Sequence, residues 1–332
     1  MPTGVITVAG VVSYLGELFQ TSKRPNTFLK LLGGLQGGIQ TTTGREFPVG
    51  VFYNLRAPSQ PARLEGADAP NPEYRTLTQS TNVVQIFHES VSASYMATSD
   101  KTMSGPIAIP LGGAQGGPVN PRDPAWQVMA ALETVAQDAN YSFLRGVFAN
   151  PADPSGTALR TRGLLTALQT NVLDKSGDAV SGTDPAKQVR GYVNSLLLSV
   201  ITSNGYNPDS TWVLLMDEVT YGTVIGAYES LPSNRIEQTR DIAGLKIRQL
   251  YTRYGILNVA MDPDMPDNQF AVLNMGVAGI VGMPVEGKGV LFEEPLAKTG
   301  STDKSQIYGQ LGVDHGPEYC HGVLTIPAGF SL

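Results

Sequence analysis

The sequence has little of what disulfide-bonded, membrane-spanning or nucleic-acid-binding proteins need. It holds one cysteine, Cys320, so no disulfide can form within the chain. No stretch of about 18 apolar residues is present, and residues 1–19 lack a basic start, so neither a membrane span nor a signal peptide is predicted. Charged residues make up only 16% of the chain, and its net charge is −6. This balance argues against a dedicated nucleic-acid binder, and we expect a soluble protein made in a reducing cytoplasm.

The sequence signatures of the common enzyme classes are also missing. There is no glycine-rich dinucleotide or phosphate loop, no G-x-S-x-G and no H-E-x-x-H. Near the C-terminus, residues of metal-binding type form one cluster: Asp314, His315, Glu318, Cys320 and His321. Their spacing fits no zinc pattern, and Gly316-Pro317 is typical of a turn between two strands. We interpret the cluster as a structural turn, with a metal-dependent enzyme as the alternative.

A second acidic stretch contains Asp262, Asp264 and Asp267. A calcium-binding loop would need more ligands and a closing glutamate at fixed spacing. Two prolines separate the three aspartates, so the stretch predicts a solvated turn between strands.

Glycine and proline are plentiful, at 37 and 23 residues, which indicates a turn-rich protein with much sheet. Residues 1–38 are predicted to form an N-terminal arm with short helices at Val11–Phe19 and Phe28–Leu32. Within this arm Gly33-Gly34 and Gly37-Gly38 break the chain twice, which predicts a hinge.

Residues 39–80 are predicted to form a long β-hairpin. Alternation with period two favours strands over Ile39–Tyr53 and Tyr74–Met96, with a proline-rich tip between them. A two-stranded ribbon is only marginally stable alone, so it must lie on this chain or on a neighbouring one. Charged side chains recur along the ribbon, and we expect arginine–carboxylate contacts across subunits among them: Arg45, Arg56, Arg63, Glu65, Asp68, Glu73 and Arg75.

The rest of the chain is predicted to be an α+β body. Asp123-Pro124 begins a long amphipathic helix that should run to Ala149, and Asp184-Pro185 and Asp217 begin two more helices. The predicted strands are Trp212–Met216, Leu245–Leu250, Ile256–Met261, Phe270–Val281, Gly289–Phe292 and a closing pair over 306–313 and 319–326. An extended arm and hairpin on such a body indicates an assembly subunit before it indicates an enzyme.

The order of these parts resembles the tailed-phage major capsid protein of the Hong Kong 97 type. Val135–Asn140 and Phe143–Gly146 resemble the long "spine" helix of that family, and Arg162-Gly163-Leu164-Leu165 resembles the segment that follows it in one branch. Tyr308–Gly312 and His321-Gly322 resemble the terminal strands of the same branch. Each motif has low specificity alone, and the order of the parts over nearly the whole chain carries the resemblance.

The resemblance implies an α+β Hong Kong 97-type fold and a role for each part. The hairpin over 39–80 would be the E-loop, which lies over a neighbouring subunit, and the helix over 123–149 would be the spine of the peripheral domain. That domain would comprise residues 81–181, with return strands from 287–332. Residues 182–286 would form an axial α/β domain that meets its copies at the capsomer centre.

The implied function is self-assembly into the icosahedral head shell around double-stranded DNA, without catalysis or a cofactor. The implied partners are copies of the chain in hexamers and pentamers, a portal protein and a decoration protein, with packaged DNA contacted non-specifically and no membrane. Only residues 1–38 precede the hairpin, so scaffolding should come from a separate protein, and Met1 argues that the chain is not trimmed. The shell would be assembled in the host bacterial cytoplasm and reside in the virion.

One departure from the family concerns covalent cross-linking through an E-loop lysine, which some members use. Residues 39–80 contain no lysine, and the nearest are Lys30 and Lys101, so no such cross-link is predicted. The alternatives are an encapsulin-type shell of the same fold, a tail or tube subunit, and the metal-dependent enzyme. A tube subunit should be dominated by sheet and lack the long helix, whereas an encapsulin would enclose protein cargo instead of DNA.

Overall fold

A computed structural model describes residues 6–8, 11–13, 25–36, 39–53, 60, 62–69, 71, 74, 76–99, 124–153, 156–203, 205–207, 209–230, 236–242, 245–298 and 300–330. Six α-helices lie in this part of the chain: α1 (Thr27–Gln36), α2 (Tyr95–Ser99), α3 (Pro124–Arg145), α4 (Leu164–Ala167), α5 (Pro185–Thr202) and α6 (Glu218–Glu229). A single 3₁₀ turn follows at Glu318–Cys320.

Sixteen strands are described, and they fall into three sheets. They are β1 (Ile6–Val8), β2 (Val11–Ser13), β3 (Gln40–Thr41), β4 (Glu46–Tyr53), β5 (Leu77–Val83), β6 (Gln85–Ser94), β7 (Val172–Asp174), β8 (Trp212–Met216), β9 (Ile236–Ile242), β10 (Leu245–Tyr251), β11 (Ile256–Met261), β12 (Gln269–Asn274), β13 (Gly279–Gly282), β14 (Leu291–Pro295), β15 (Thr302–Asp314) and β16 (Gly322–Thr325).

The first sheet has the order β1-β2-β14-β15-β13-β3, and β6 also pairs with β15, antiparallel over Thr302–Leu311. The long helix α3 packs on this sheet through an apolar stripe that includes Leu132, Val135 and Phe143, all buried. Phe87 of β6 meets Phe143 edge to face, with ring centroids 6.1 Å apart. Spacing of three and four residues puts these side chains on one face of the helix, which is why α3 covers the sheet.

The second sheet has the order β7-β16-β12-β8-β11-β10-β9. Strand β8 is buried on both faces: Trp212, Leu214 and Met216 join one apolar cluster with α5 and α6, and Val213 and Leu215 join the cluster that holds α1 and α3. A strand covered on both sides needs apolar residues at every position, and this accounts for the continuous apolar sequence at 212–216.

The predicted helix starts after residue 180 are confirmed in detail. Asp184 Oδ1 accepts a hydrogen bond from the Lys187 amide at 2.8 Å, and Pro185 occupies the first turn of α5. Asp217 Oδ2 accepts from Val219 and Thr220 at 3.1 and 3.3 Å at the start of α6. Such caps satisfy amides that have no partner inside the helix.

The predicted break of the chain at Gly33-Gly34 is wrong, because both glycines lie inside α1. The cost of two glycines in a helix is about 1 kcal/mol each. Burial of four apolar side chains offsets it, since Phe28, Leu29, Leu31 and Leu32 are at most 1% exposed. The second pair, Gly37-Gly38, lies outside the described residues.

Three further expectations need correction, one each in the arm, the hairpin and the long helix. Residues 11–13 form a strand that pairs with β14 and not the start of a helix. The return arm of the hairpin ends at Val83, because β6 turns away to pair with Thr302–Leu311 of β15. The long helix ends at Arg145 and not at Ala149, since Ala149 is engaged in a bridge with Arg160.

The predicted closing strand pair is also wrong. β15 belongs to the first sheet and β16 to the second, and the segment between them carries the chain from one sheet to the other. The sheets do not follow the predicted domain bounds either. β7 and β16 lie outside 182–286 and join the second sheet, whereas β13 lies inside that range and joins the first.

The end of α3 is closed by two glycines in direct backbone contact. The Gly163 amide donates to the Gly146 carbonyl at 2.9 Å, and the Gly146 amide donates to Ser142 O at 2.9 Å. A Cβ on Gly163 would lie 2.4 Å from the Gly146 nitrogen, and one on Gly146 would lie 2.6 Å from Thr161 O. Glycine at both positions is therefore required by the close approach of the two chains.

Candidate inter-subunit surfaces

The hairpin of β4 and β5 changes direction at Gly50. The strands pair from Glu46↔Val83 to Val49↔Ser80, and the register then shifts before Phe52↔Thr78. Gly50 has φ +62°, a left-handed conformation that favours glycine, and a Cβ there would lie 2.7 Å from Gly316 O. This bulge against the Gly316 turn sets the direction in which the hairpin leaves the body.

The root of the hairpin is attached to the body by Asn82, which is fully buried. Its Nδ2 donates to Val313 O at 2.8 Å and Arg162 O at 3.1 Å, and its Oδ1 accepts from the Arg162 amide at 2.7 Å. One side chain thus joins the hairpin to β15 and to the segment before α4. The sequence does not indicate this role, because an asparagine in an alternating strand is typical of a solvent-facing position.

The predicted charged side chains of the hairpin are exposed wherever the structure describes them. Arg45 Nε lies 3.9 Å from Glu46 Oε1 at the root, and Arg63 donates to the Asp68 carbonyl at 3.3 Å in the tip. Glu65 and Asp68 have exposed side chains. The structure therefore leaves their side chains accessible, whereas Arg56, Glu73 and Arg75 lie outside the described residues.

Two large apolar side chains near the tip are also exposed. Leu64 is 85% and Tyr74 93% exposed. Exposed apolar groups next to charged ones have the composition of a contact surface.

A buried polar cluster, here called the Asn140 clamp, joins three separate parts of the chain. Asn140 lies on α3, Asp262 and Asp264 follow β11, and the amides of Phe28 and Leu29 lie at the start of α1. Asn140 Nδ2 donates to Asp264 Oδ2 at 2.6 Å and to both oxygens of Asp262 at 3.1 Å. Asp262 Oδ2 accepts from the Phe28 amide at 2.8 Å, and Asn140 Oδ1 accepts from the Leu29 amide at 2.9 Å.

The clamp corrects the prediction of a solvated acidic turn. Asp262 is fully buried and Asp264 is 6% exposed, and only Asp267 is exposed as expected. Burial raises the pKa of the Asp262 carboxyl above its usual value, although the hydrogen bonds from Phe28, Asp264 and Asn140 act in the opposite direction. A carboxylate at the N-terminus of α1 also faces the positive end of the helix dipole.

The C-terminal cluster is a hydrogen-bonded turn. His321 is fully buried; its Nδ1 accepts from the Asn274 amide at 3.2 Å, so its Nε2 carries the proton and donates to His315 O at 2.7 Å. Glu318 accepts from the amides of Gln169 and Thr170 and from the Thr170 hydroxyl. Asp314 Oδ1 accepts from the Gly316 amide at 2.9 Å.

These partners leave the cluster few groups for metal chemistry. Both ring nitrogens of His321 are engaged with the backbone, and burial raises the pKa of the Cys320 thiol to about 11, which leaves it unreactive. Within the described ranges, no group of three or more histidine, cysteine, aspartate or glutamate side chains could hold a metal ion.

We expect the stability of the subunit to fall in acid because of His321. Burial lowers the pKa of this imidazole to about 4, whereas the unfolded chain takes up a proton near pH 6.5. The stabilisation of the folded state by the neutral imidazole is therefore complete above pH 6.5 and is lost as the pH falls towards 4. The free energy of unfolding should decrease by about 3 kcal/mol over this range. Urea unfolding at a series of pH values measures the slope.

The control for this prediction is His321→Asn, which keeps an acceptor for the Asn274 amide and does not titrate in this range. The variant should be less stable at pH 7, with a slope between pH 6.5 and 4 that is shallower by one proton. An unchanged slope would show that another group takes up the proton.

The family model described as SU10 major capsid protein matches residues 1–327. A search of curated proteins returns no match. Of the helices in the described ranges, none has the length and apolar character needed to cross a membrane.

Several solved structures share the fold at low sequence identity. The capsid of cyanophage A-1(L) is 15% identical, with 91% of this chain and 92% of that chain covered and a TM-score of 0.62. The capsid of a native GTA particle is 14% identical, with coverage of 90% and 91% and a TM-score of 0.57. The SrpI encapsulin of Synechococcus elongatus PCC 7942 is 10% identical, with coverage of 90% and 89% and a TM-score of 0.54.

Proposed function

The chain belongs to the SU10 major capsid protein family, and from this we propose how its parts build a shell. It is a major capsid protein of a tailed phage, and its copies form the icosahedral shell of the virion. The observation that carries this function is the family match over residues 1–327, joined to a fold shared with phage capsids. We propose that the shell encloses double-stranded DNA and performs no catalysis, with no cofactor.

We propose that the hairpin over 39–80 lies on a neighbouring subunit as the E-loop. Three features support this: β4 and β5 pair only with each other among the described strands, the tip exposes Leu64 and Tyr74, and its charges are accessible. A two-stranded ribbon of this kind gains stability by docking. Arg45, Arg56, Arg63 and Arg75 would then pair with carboxylates across the interface, and Glu65, Asp68 and Glu73 with cations.

We propose that the two sheets belong to different domains of the capsid subunit. The first sheet with α3 would form the peripheral domain, and the second sheet with α5 and α6 the axial domain at the centre of hexamers and pentamers. The helices α5 and α6 pack in an apolar cluster on one face of the second sheet, separate from the cluster that holds α3 and the first sheet, and this supports the division. A portal protein, a separate scaffolding protein and a decoration protein are the proposed partners, and DNA would be contacted without sequence specificity.

Electron microscopy of the purified recombinant protein in negative stain, beside size-exclusion chromatography, tests the function. Closed shells, hexamers or tubes support a shell subunit. A protein that stays monomeric, even with its scaffolding protein, and whose 39–80 segment resists protease on the monomer contradicts the proposal. The fold similarity to an encapsulin favours a second candidate, and cargo separates the two: shells purified from their native source should contain DNA and not a protein.

Shortening the hairpin tests the role of its tip. Tyr53 and Leu77 face each other in the ladder, so an Asn-Gly turn can join them in place of residues 54–76. We expect the yield of shells to fall by at least about tenfold, because many weak contacts repeated around a shell act together. The thermal midpoint of the monomer should not change, and normal shells from the shortened chain would contradict the E-loop role.

A further inference from the structure

A basic cavity lies beside α5, at the end of strand β10. Its volume is about 510 Å³, and it opens between α5 and the turn that joins β10 to β11. Lys187 and Arg190 of α5 and Arg253 of the turn line it, together with the aromatic rings of Tyr228, Tyr251 and Tyr254. No acidic residue is among the described residues that line it, although the whole chain carries a net charge of −6.

The three cations differ in what they already contact. Arg190 is largely buried; it donates to the Ala227 carbonyl and, at 3.2 Å, to Ser230 Oγ, so it holds the end of α6. Its Nη2 also lies 4.0 Å from Asp184 Oδ1. Lys187 and Arg253 are exposed, and no ion pair within the described part of the chain engages either of them. Two cations in a cavity without carboxylates attract an anionic partner.

The opposite flank of α5 carries an acidic turn. Asp174 and Asp178 are exposed at this turn, which follows β7. Lys175 lies between them, with its Nζ 3.9 Å from Asp178 Oδ2, so Asp174 is the carboxylate of the turn that has no cation beside it among the described ion pairs. Asp178 accepts a hydrogen bond from Tyr192 at 3.0 Å, and Gln188 donates to the Ala179 carbonyl at 2.9 Å. At 3.6 residues per turn, Gln188 and Tyr192 lie about 100° and 140° around α5 from Lys187.

The turn holds a fixed conformation and a fixed charge. The Lys175 amide donates to Thr325 O at 2.9 Å, and the Asp178 amide donates to Lys175 O at 3.0 Å. Hydrogen bonds from Ser176 lower the pKa of the Asp174 carboxyl, so it stays ionised.

We propose that the basic cavity receives the Asp174–Asp178 turn of a second copy of this chain. In a ring of identical subunits each interface is head to tail, so one flank of a subunit meets the opposite flank of the next. α5 carries positive charge on one flank and negative charge on the other, which is the arrangement such a ring requires. The inference rests on the proposed function, because it needs copies of the chain arranged around an axis.

Charge reversal on the cavity side tests the contact. Lys187→Glu with Arg253→Glu keeps the fold, because Arg190 is untouched and a glutamate in the first turn of α5 suits the helix dipole. We expect the assembled fraction at low ionic strength to fall by at least about tenfold, since like charges then face each other. Added salt should restore part of the assembly by screening that repulsion.

Two further variants make the test specific. Adding Asp174→Lys to the double variant exchanges both signs and should restore assembly, whereas Asp174→Lys alone should prevent it.

The outcomes separate this inference from the proposed function. If the wild-type chain forms shells and the cavity variant forms them equally well, the inference is overturned and the function stands. If inorganic phosphate raises the thermal midpoint of the wild-type protein but not of the cavity variant while both assemble equally, the cavity binds a free anion and the inference is also overturned. If the wild-type chain forms no shell even with its scaffolding protein, the proposed function is overturned, and the inference that rests on it is overturned as well.

Discussion

Asn140→Asp is expected to lower the free energy of unfolding by about 3–5 kcal/mol at neutral pH, because it places a third carboxylate in the Asn140 clamp. The change replaces one amide nitrogen by an oxygen and leaves the packing of α3 as it is. It removes the donor that both Asp262 and Asp264 use, at 3.1 and 2.6 Å. Urea unfolding of the subunit measures the effect.

The matched control is Asn150→Asp. Asn150 also donates to a carboxylate, Glu46 Oε1 at 2.8 Å, but this pair is exposed. Water screens the new repulsion there, so the loss should stay under about 1 kcal/mol. If both substitutions lowered the free energy of unfolding by similar amounts, burial of the site would not be what determines the loss.

The decrease in the free energy of unfolding caused by Asn140→Asp should be smaller in acid. The pKa of Asp262 is raised in the folded protein, so its burial costs most above that pKa and progressively less as the pH falls towards 3.8. Comparison with wild type at each pH removes the opposite contribution of His321. A difference that is constant with pH would show that the variant acts through packing and not through charge.

Gly163→Ala is expected to destabilise the subunit by about 3 kcal/mol, at the upper end of what one added methyl usually costs. The new Cβ would lie 2.4 Å from Gly146 N and 2.8 Å from the Arg145 nitrogen, and both are backbone atoms that no side-chain rotation can move away. The last turn of α3 would have to shift, and the bond from the Gly163 amide would break.

Gly177→Ala is the control for this prediction, because nothing lies within 4 Å of a Cβ at that position. Thermal unfolding of the two variants should therefore differ clearly, with Gly177→Ala close to wild type. If Gly163→Ala melted at the wild-type temperature, the segment before α4 would have to be free to move away from α3.

The sequence correctly predicted those helices and strands that are determined by residues close to one another in the chain. The caps at Asp184 and Asp217 and the apolar run at 212–216 each determine an element through neighbours in the chain, and each was predicted. Gly33-Gly34 was misjudged for the same reason: a local preference indicated a break, and the burial of Phe28 and Leu32 overrode it.

Long-range partners explain what the sequence could not show. Asp262 resembles a surface aspartate until Asn140 and the start of α1 are brought to it from distant parts of the chain. The separation of β15 and β16 into different sheets has no local signal either, since Gly316-Pro317 would suit a simple hairpin equally well. Of the candidate surface, the sequence predicted the hairpin and its charges, whereas the basic cavity forms only when α5 meets the β10–β11 turn.

The position of β15 in the chain determines when a subunit can fold. This strand is the centre of the first sheet, where Thr302 pairs with Ser94 and Leu311 with Gln85, and its neighbour β14 pairs with β2. On the ribosome, the apolar face of α3 therefore has no completed sheet to cover it until nearly the whole polypeptide has been synthesised. A nascent chain cut short before residue 302 cannot form this sheet, so such a fragment would expose the apolar face of α3.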